Sequence, residues 1–198
     1  MSEPPRSPAN ALPNSAPGLA GLGEAKKTRL PKHLWNPAIC GEIDIAIRRD
    51  GTWIHEGRPI LRRELAKLFA SVLRREGEDH YLVTPVEKMK IRVEDVPFLA
   101  VEMRAEGEGR ERRLIFVTNL DEEAALDSPG GLRAARGASD GLTPYLRMRD
   151  GLEARLDRKT TYRLIELGET QGEGEEAAFG IWSGGIFHPL APASEAEP

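Results

Sequence analysis

The chain of 198 residues carries a formal net charge of −4, 39% hydrophobic side chains, 20 glycines, 15 prolines and one cysteine. That apolar share supports a packed core, and with no apolar run of about 18 residues a transmembrane helix is excluded. The acidic balance argues against a nucleic-acid-binding surface, and Cys40 alone forms neither an intramolecular disulfide nor a multi-cysteine zinc site.

Residues 1–29 combine Pro, Ala, Ser and Asn with few large apolar side chains, which reads as a disordered arm. They hold no basic region followed by an apolar stretch, so no secretory signal is expected and the expected location is the cytoplasm. The body opens on Glu42 to Ile47, where isoleucines alternate with polar or small residues ahead of Asp50-Gly51, a hairpin-turn pair. Centred on those two residues, the hairpin pairs Arg48 with Trp53 and Ile47 with Ile54. Asp44, Arg48, Trp53 and His55 then share one face. Leu61, Leu65, Leu68, Phe69, Val72 and Leu73 follow at helical spacing, predicting an amphipathic helix that ends near Gly77. Its outer face is basic, with Arg58, Arg62, Arg63, Lys67, Arg74 and Arg75; a solvated face or contact with acidic loops of the same chain is the expectation.

The period returns to two at Met89, Ile91 and Val93, a half-exposed strand after Thr84-Pro85. Phe98 to Met103 and Leu114 to Thr118 form a second hairpin. Residues 119–143 are polar and rich in small residues, and are expected to be one long connection that includes at most a short helix. Arg149-Asp150-Gly151 then repeats Arg49-Asp50-Gly51 at an offset of 100 residues, and Arg158 and Arg163 match Arg58 and Arg63. A three-residue turn with Gly151 left-handed sets Leu146 and Met148 beside Leu152, Ala154 and Leu156. A short helix over Lys159 to Leu167 and a closing strand from Phe179 to Phe187 complete the body, and Ala191 to Pro198 reads as a disordered tail. The chain is thus expected to be an α+β protein of two small domains built from repeated strand-turn-strand-helix-strand units. The expected spans are 30–118 for the N-terminal domain and 119–190 for a mainly β domain with a short helix.

Several stretches resemble a bacterial family known as domain of unknown function 1285: CGEIDIAIRRDGTWIHEGRPILRRELAKLFASVL (40–73), YLVTPVEKMKIRVEDVPFLAVEM (81–103), TNLD (118–121), RDGLEARLDRKTTYRLIEL (149–167), and WSGG with Phe187 (182–187). The visible departures are the Gly- and Ala-rich stretch 129–141 and Lys159-Thr160. The resemblance implies two α+β domains built on repeated motifs, with signalling or ligand sensing suggested. It supplies no catalytic residues.

Three groups stand out as ligand-binding candidates. Trp53 offers a stacking surface, Arg48 and His55 offer donors and Asp44 an acceptor, although Arg48 over Trp53 reads first as an ordinary cross-strand cation-π pair with the other two solvated. Thr84, Glu87 and Lys88 bring a hydroxyl, a carboxylate and an ammonium into five residues, but neighbours on a strand point to opposite faces. Trp182 and Ser183, with the two glycines after them, form either an anion-binding backbone nest or a tight turn. The four histidines lack metal-ligand spacing and no Walker A sequence is present, so no metal or cofactor is expected. These readings converge on a non-catalytic module that senses a small molecule or binds a protein partner, its oligomeric state open. The alternative is an enzyme of unrecognised type using Asp44, His55 and Glu87 around an inter-domain cleft.

Overall fold

The computed structural model describes residues 34–136 and 141–195. Its strands are β1 (Ile39–Ile47), β2 (Trp53–His55), β3 (Arg58–Pro59), β4 (Leu73–Glu76), β5 (Asp79–Val83), β6 (Lys88–Val93), β7 (Phe98–Glu106) and β8 (Arg113–Thr118). They continue with β9 (Glu123–Ala125), β10 (Leu132–Arg136), β11 (Leu142–Arg147), β12 (Glu153–Leu156), β13 (Glu169–Gln171), β14 (Ala178–Ser183) and β15 (Ile186–Pro192). Among the described residues two α-helices, α1 (Arg63–Ser71) and α2 (Arg158–Ile165), complete an α+β architecture.

The first sheet runs β3-β2-β1-β6-β5-β4, the second β10-β11-β12-β7-β8-β9 and the third β13-β14-β15. Each six-stranded sheet is two antiparallel ribbons joined by one parallel pair, β1 with β6 in the first and β12 with β7 in the second. Phe69 and Ala70 of α1 are buried with Ile45, Ile47 and Leu73 of the first sheet, and the same apolar cluster continues through Phe98, Phe116, Leu146 and Leu152 of the second. The two domains therefore share a continuous core. In α2, Asp157 caps the first turn by accepting from the Thr160 N–H at 2.7 Å, and Leu164 is fully buried.

Both RDG turns are three-residue loops of the same register. Arg48 N–H donates to Thr52 O and Ile47 pairs with Trp53, just as Met148 N–H donates to Leu152 O and Arg147 pairs with Glu153. The second hairpin is the expected one. The first is displaced by one residue from the expected two-residue turn, because Gly51 takes the left-handed position at φ 81° and leaves Arg49, Asp50 and Gly51 in the loop. A one-residue slip turns every side chain of the second strand over. Trp53 accordingly joins Ile45 and Ile47 in the core, 2% exposed and stacked on Phe69 at 6.0 Å. The expected face of Asp44, Arg48, Trp53 and His55 does not exist. The repeat extends through turn and helix but not through sheet order: the strand before the turn is central in the first sheet, the strand after it in the second.

Four other expectations are corrected. The first helix stops at Ser71, and Leu73–Glu76 becomes β4, whose backbone finds partners along β5; Gly77 serves the β4–β5 turn instead of a helix cap. The supposed connection 119–143 contains β9 and β10, the latter pairing along β11 from Leu132 opposite Leu146 to Arg136 opposite Leu142. The closing strand is a hairpin, folding back between Ser183 and Ile186, and Ala191 and Pro192 of the expected tail complete its second arm. Proline is tolerated there because β15 is an edge strand. The domain boundary moves from residue 118 to residues 94–97, since β7 and β8 pair with β12 and β9 and not with the first sheet. The arm 1–29 and residues 196–198 lie outside the described residues. No helix among the described residues is long and apolar enough to cross a membrane.

Candidate functional site

The two RDG turns each reach across the domain boundary. A Cβ at Gly51 would lie 2.7 Å from Asn119 Nδ2 and 3.2 Å from Leu99, so only glycine lets the first turn settle on the second domain. Asn119 is itself fixed, donating its N–H to Leu99 O at 2.8 Å and accepting from the Leu99 N–H at 3.2 Å. Arg155 completes the contact by donating to Arg49 O at 2.7 Å.

The second turn is held by Arg149. Its Nη2 donates to Ala70 O in the last turn of α1 at 2.7 Å and its Nη1 to Leu73 O at the start of β4 at 3.3 Å. The other edge of the guanidinium meets Glu122, with Nε 2.7 Å from Oε1 and Nη2 3.2 Å from Oε2, while Nη1 also reaches Asp150 at 3.0 Å. All three nitrogens are engaged.

Between α1 and this turn lies a cleft of about 400 Å³, lined by Lys67, Ala70 and Ser71 from the first domain and by Leu120, Glu122, Arg149 and Asp150 from the second. The TNLD segment shapes its rim. Thr118 Oγ1 accepts from the Leu120 and Glu122 N–H groups and closes the turn, and Asp121, at φ 61°, projects its carboxylate toward α1. There Asp121 meets Arg63 at 2.6 Å and Lys67 at 2.8 Å. The Lys67 ammonium, bonded to Asp121 and Glu64, is held above its ordinary pKa, and Asp121 is held below the usual carboxylate range by Lys67 and Arg63. The basic helix face is thus turned largely onto acidic groups of the same chain.

The candidates read from the sequence lie elsewhere. Asp44 pairs with Arg92 at 2.6 Å on the exposed surface, Arg48 is exposed, and His55 is half-buried with no carboxylate in hydrogen-bond reach. Thr84 is buried and closes its own turn, its Oγ1 accepting from the Val86 and Glu87 N–H groups. Glu87 has one buried oxygen without a partner, whereas the buried Lys88 pairs with Glu76 and lies 4.6 Å from the centre of the Tyr81 ring. Ser183 is buried with its Oγ accepting from the Leu114 N–H, and Trp182 is covered by Arg110 at 4.7 Å. The Gly184 and Gly185 amides donate to Arg112 O and Arg110 O, so the would-be nest is filled by backbone. None of these side chains lines the inter-domain cleft. Of the residues that do line it, Lys67 lies on the basic helix face, Leu120 in the TNLD run and Arg149 and Asp150 in the second RDG, whereas Glu122 belongs to no motif. Among the described residues no three His, Cys, Asp or Glu side chains are grouped to hold a metal.

Two buried histidines set an acid limit on this framework. His80 is 9% and His188 1% exposed, and burial pushes both imidazoles below the ordinary value of 6.5, with Arg75 adding to the shift at His80. The unfolded chain therefore takes up protons first. Their contribution to stability is complete above pH 6.5 and is lost as the pH falls through the lowered values. Urea unfolding is expected to show a lower midpoint at pH 5.5 than at pH 7.5, and His80→Gln is expected to reduce that difference.

The chain is thus a two-domain α+β protein with a charged cleft at the domain junction. It belongs to the DUF1285 family. The family's N-terminal domain, "Domain of unknown function (DUF1285), N-terminal domain", matches residues 30–96 and its C-terminal domain residues 97–190. The crystal structure of a DUF1285 family protein from Silicibacter pomeroyi DSS-3 is 45% identical over 93% of this chain and 100% of that one, with a TM-score of 0.80. A second, from Shewanella baltica OS155, is 26% identical over 62% of this chain and 90% of that one, with a TM-score of 0.50. No curated protein matches the chain.

Proposed function

We propose that the protein is a non-catalytic ligand-sensing module of the cytoplasm, acting in signal transduction through the junction of its two domains. The carrying observation is the cleft of about 400 Å³ walled by α1 on one side and by Leu120, Glu122 and the Arg149 turn on the other. Its size falls within the ~300–1,000 Å³ of small-molecule sites, which favour domain interfaces. A ligand there touches both domains at once, which is the physical requirement for converting occupancy into a change between them. Leu120 and Ala70 supply apolar contact, and Lys67, bonded twice among its three N–H groups, keeps a donor for a ligand. The catalytic alternative finds less support, because Asp44, His55 and Glu87 are not gathered around this cleft.

Thermal-shift screening of the full chain against nucleotides, cyclic nucleotides and common metabolites tests the reading. A specific ligand at 100 times its Kd is expected to add about 2.7 kcal/mol of apparent stability. Lys67→Met is expected to abolish that gain. A hit that stabilises Lys67→Met as strongly as the parent, or a screen that yields none, counts against the proposal.

A further inference from the structure

A second and smaller cleft, about 230 Å³, opens on the junction around the linker between β6 and β7. Arg75, Glu78, His80 and Val93 line it from the first domain, Asp95, Val96 and Pro97 from the linker, and Arg133 and Glu153 from the second domain. His80 sits in its wall on β5, opposite Arg75 on β4. The residue is nine-tenths buried and lines the cleft, and among the described residues neither ring nitrogen has a hydrogen-bond partner. An imidazole so enclosed has given up most of its hydration and gained no protein partner, so the cleft is the one direction from which a ligand can reach it.

The surrounding groups define the chemistry of that ligand. Glu153 has both oxygens spent on Arg133, at 2.6 and 2.8 Å, and accepts a longer contact from Arg75 at 3.5 Å. One carboxylate therefore faces two guanidiniums. Arg133 lies over the Tyr145 ring at 4.0 Å and its Nη1 has no partner among the described residues, while the Nη groups of Arg75 make only long contacts there, to Glu153 and to Glu78 at 3.4 Å. Asp95 is offset by Arg49 and Arg155, each at 3.7 Å, and receives the Tyr145 hydroxyl. Glu78 is 95% exposed and solvated. The open hydrogen-bonding groups of the cleft are thus N–H donors, on His80, Arg75 and Arg133, and with Arg49 and Arg155 behind Asp95 four guanidiniums stand against the three carboxylates of Glu78, Asp95 and Glu153.

We propose that this cleft binds a small oxyanion, a carboxylate or a phosphate group, held between Arg75 of one domain and Arg133 of the other with His80 donating from the wall. The bound anion bridges the domains, and guanidinium forks suit its geometry. This site is separate from the larger cleft and stands without the function proposed there.

The test is thermal unfolding of the full chain at pH 7.5, titrated with inorganic phosphate or with succinate against sodium chloride at matched ionic strength. Expected is a saturable rise in Tm with at least one of the two anions that chloride does not reproduce. The anion that half-saturates at the lower concentration distinguishes phosphate from carboxylate. His80→Gln and Arg133→Met are each expected to raise the half-saturating concentration at least tenfold, and Lys67→Met in the other cleft is expected to leave it unchanged. Should Arg133→Met fail to fold, His80→Gln decides, since it keeps the backbone and the arginine pair. A rise no greater than that in chloride, or an unchanged half-saturation in His80→Gln, overturns the proposal.

Discussion

Trp53→Ala is expected to lower the unfolding free energy by about 3–5 kcal/mol, the cost of emptying a large aromatic site in a packed core. Trp53 is 2% exposed and stacked on Phe69, with the two rings only 15° from parallel, so α1 loses its main aromatic contact with the first sheet. Trp53→Phe is a milder change. It keeps an aromatic ring on Phe69 and removes an indole N–H that is buried without a partner, so the two effects partly offset and a loss of about 1 kcal/mol is expected. Arg48→Ala, on the exposed side of the hairpin, should stay within about 0.5 kcal/mol. Urea unfolding followed by circular dichroism measures all three. A loss below about 1 kcal/mol for Trp53→Ala would mean that the ring lies on the open face and that the three-residue register is wrong.

That register is where the sequence was most informative and also most misleading. Asp50-Gly51 between alternating residues marks a hairpin, but the first turn taken by itself accommodates a two-residue or a three-residue loop. At the second turn, apolar residues on both arms required three residues. At the first, Ile47 matches either Trp53 or Ile54 acceptably, so hydrophobic pattern alone could not choose. The repeat carries the missing information, because the same RDG adopts the same pairing 100 residues later. The helix end failed for a related reason. Val72 and Leu73 fit the helical stripe and the inward face of a strand equally well, and only pairing with β5 decides.

The cleft residues were hidden by a different physics. The basic helix face that carries Lys67 suits either solvent or an acidic loop of the same chain, and Asp121 and Glu122 lie in a stretch that reads as a long polar connection. Their roles come from tertiary contacts between distant parts of the chain, including Arg63 to Asp121 and Arg149 to both Glu122 and Ala70. No local period reports such contacts. The TNLD and RDG motifs were visible, but nothing in either spacing says that one closes the rim of a cleft and the other ties down the end of a helix.

Arg149→Met is expected to cost about 2–3 kcal/mol, more than any surface ion pair in the molecule. One guanidinium serves Ala70 O, Leu73 O and Glu122 together, and hydrogen bonds to a charged group contribute about 1.5–3 kcal/mol each when shielded from water. The Arg149 side chain is 34% exposed and Glu122 25%, so water recovers part of the loss and the full sum is not expected. Arg149→Lys is the sharper variant. An ammonium keeps the charge but cannot spread donors over three acceptors that approach two edges of a plane, so most of the loss should persist. Arg113→Met provides the contrast, since Arg113 and Asp127 pair at 2.9 Å with both side chains half exposed and should be worth less than about 1 kcal/mol. Urea unfolding of the three variants at one pH gives the comparison. Full stability in Arg149→Lys would reduce Arg149 to a point charge beside Glu122, and the second RDG turn would then have no special part in joining the domains.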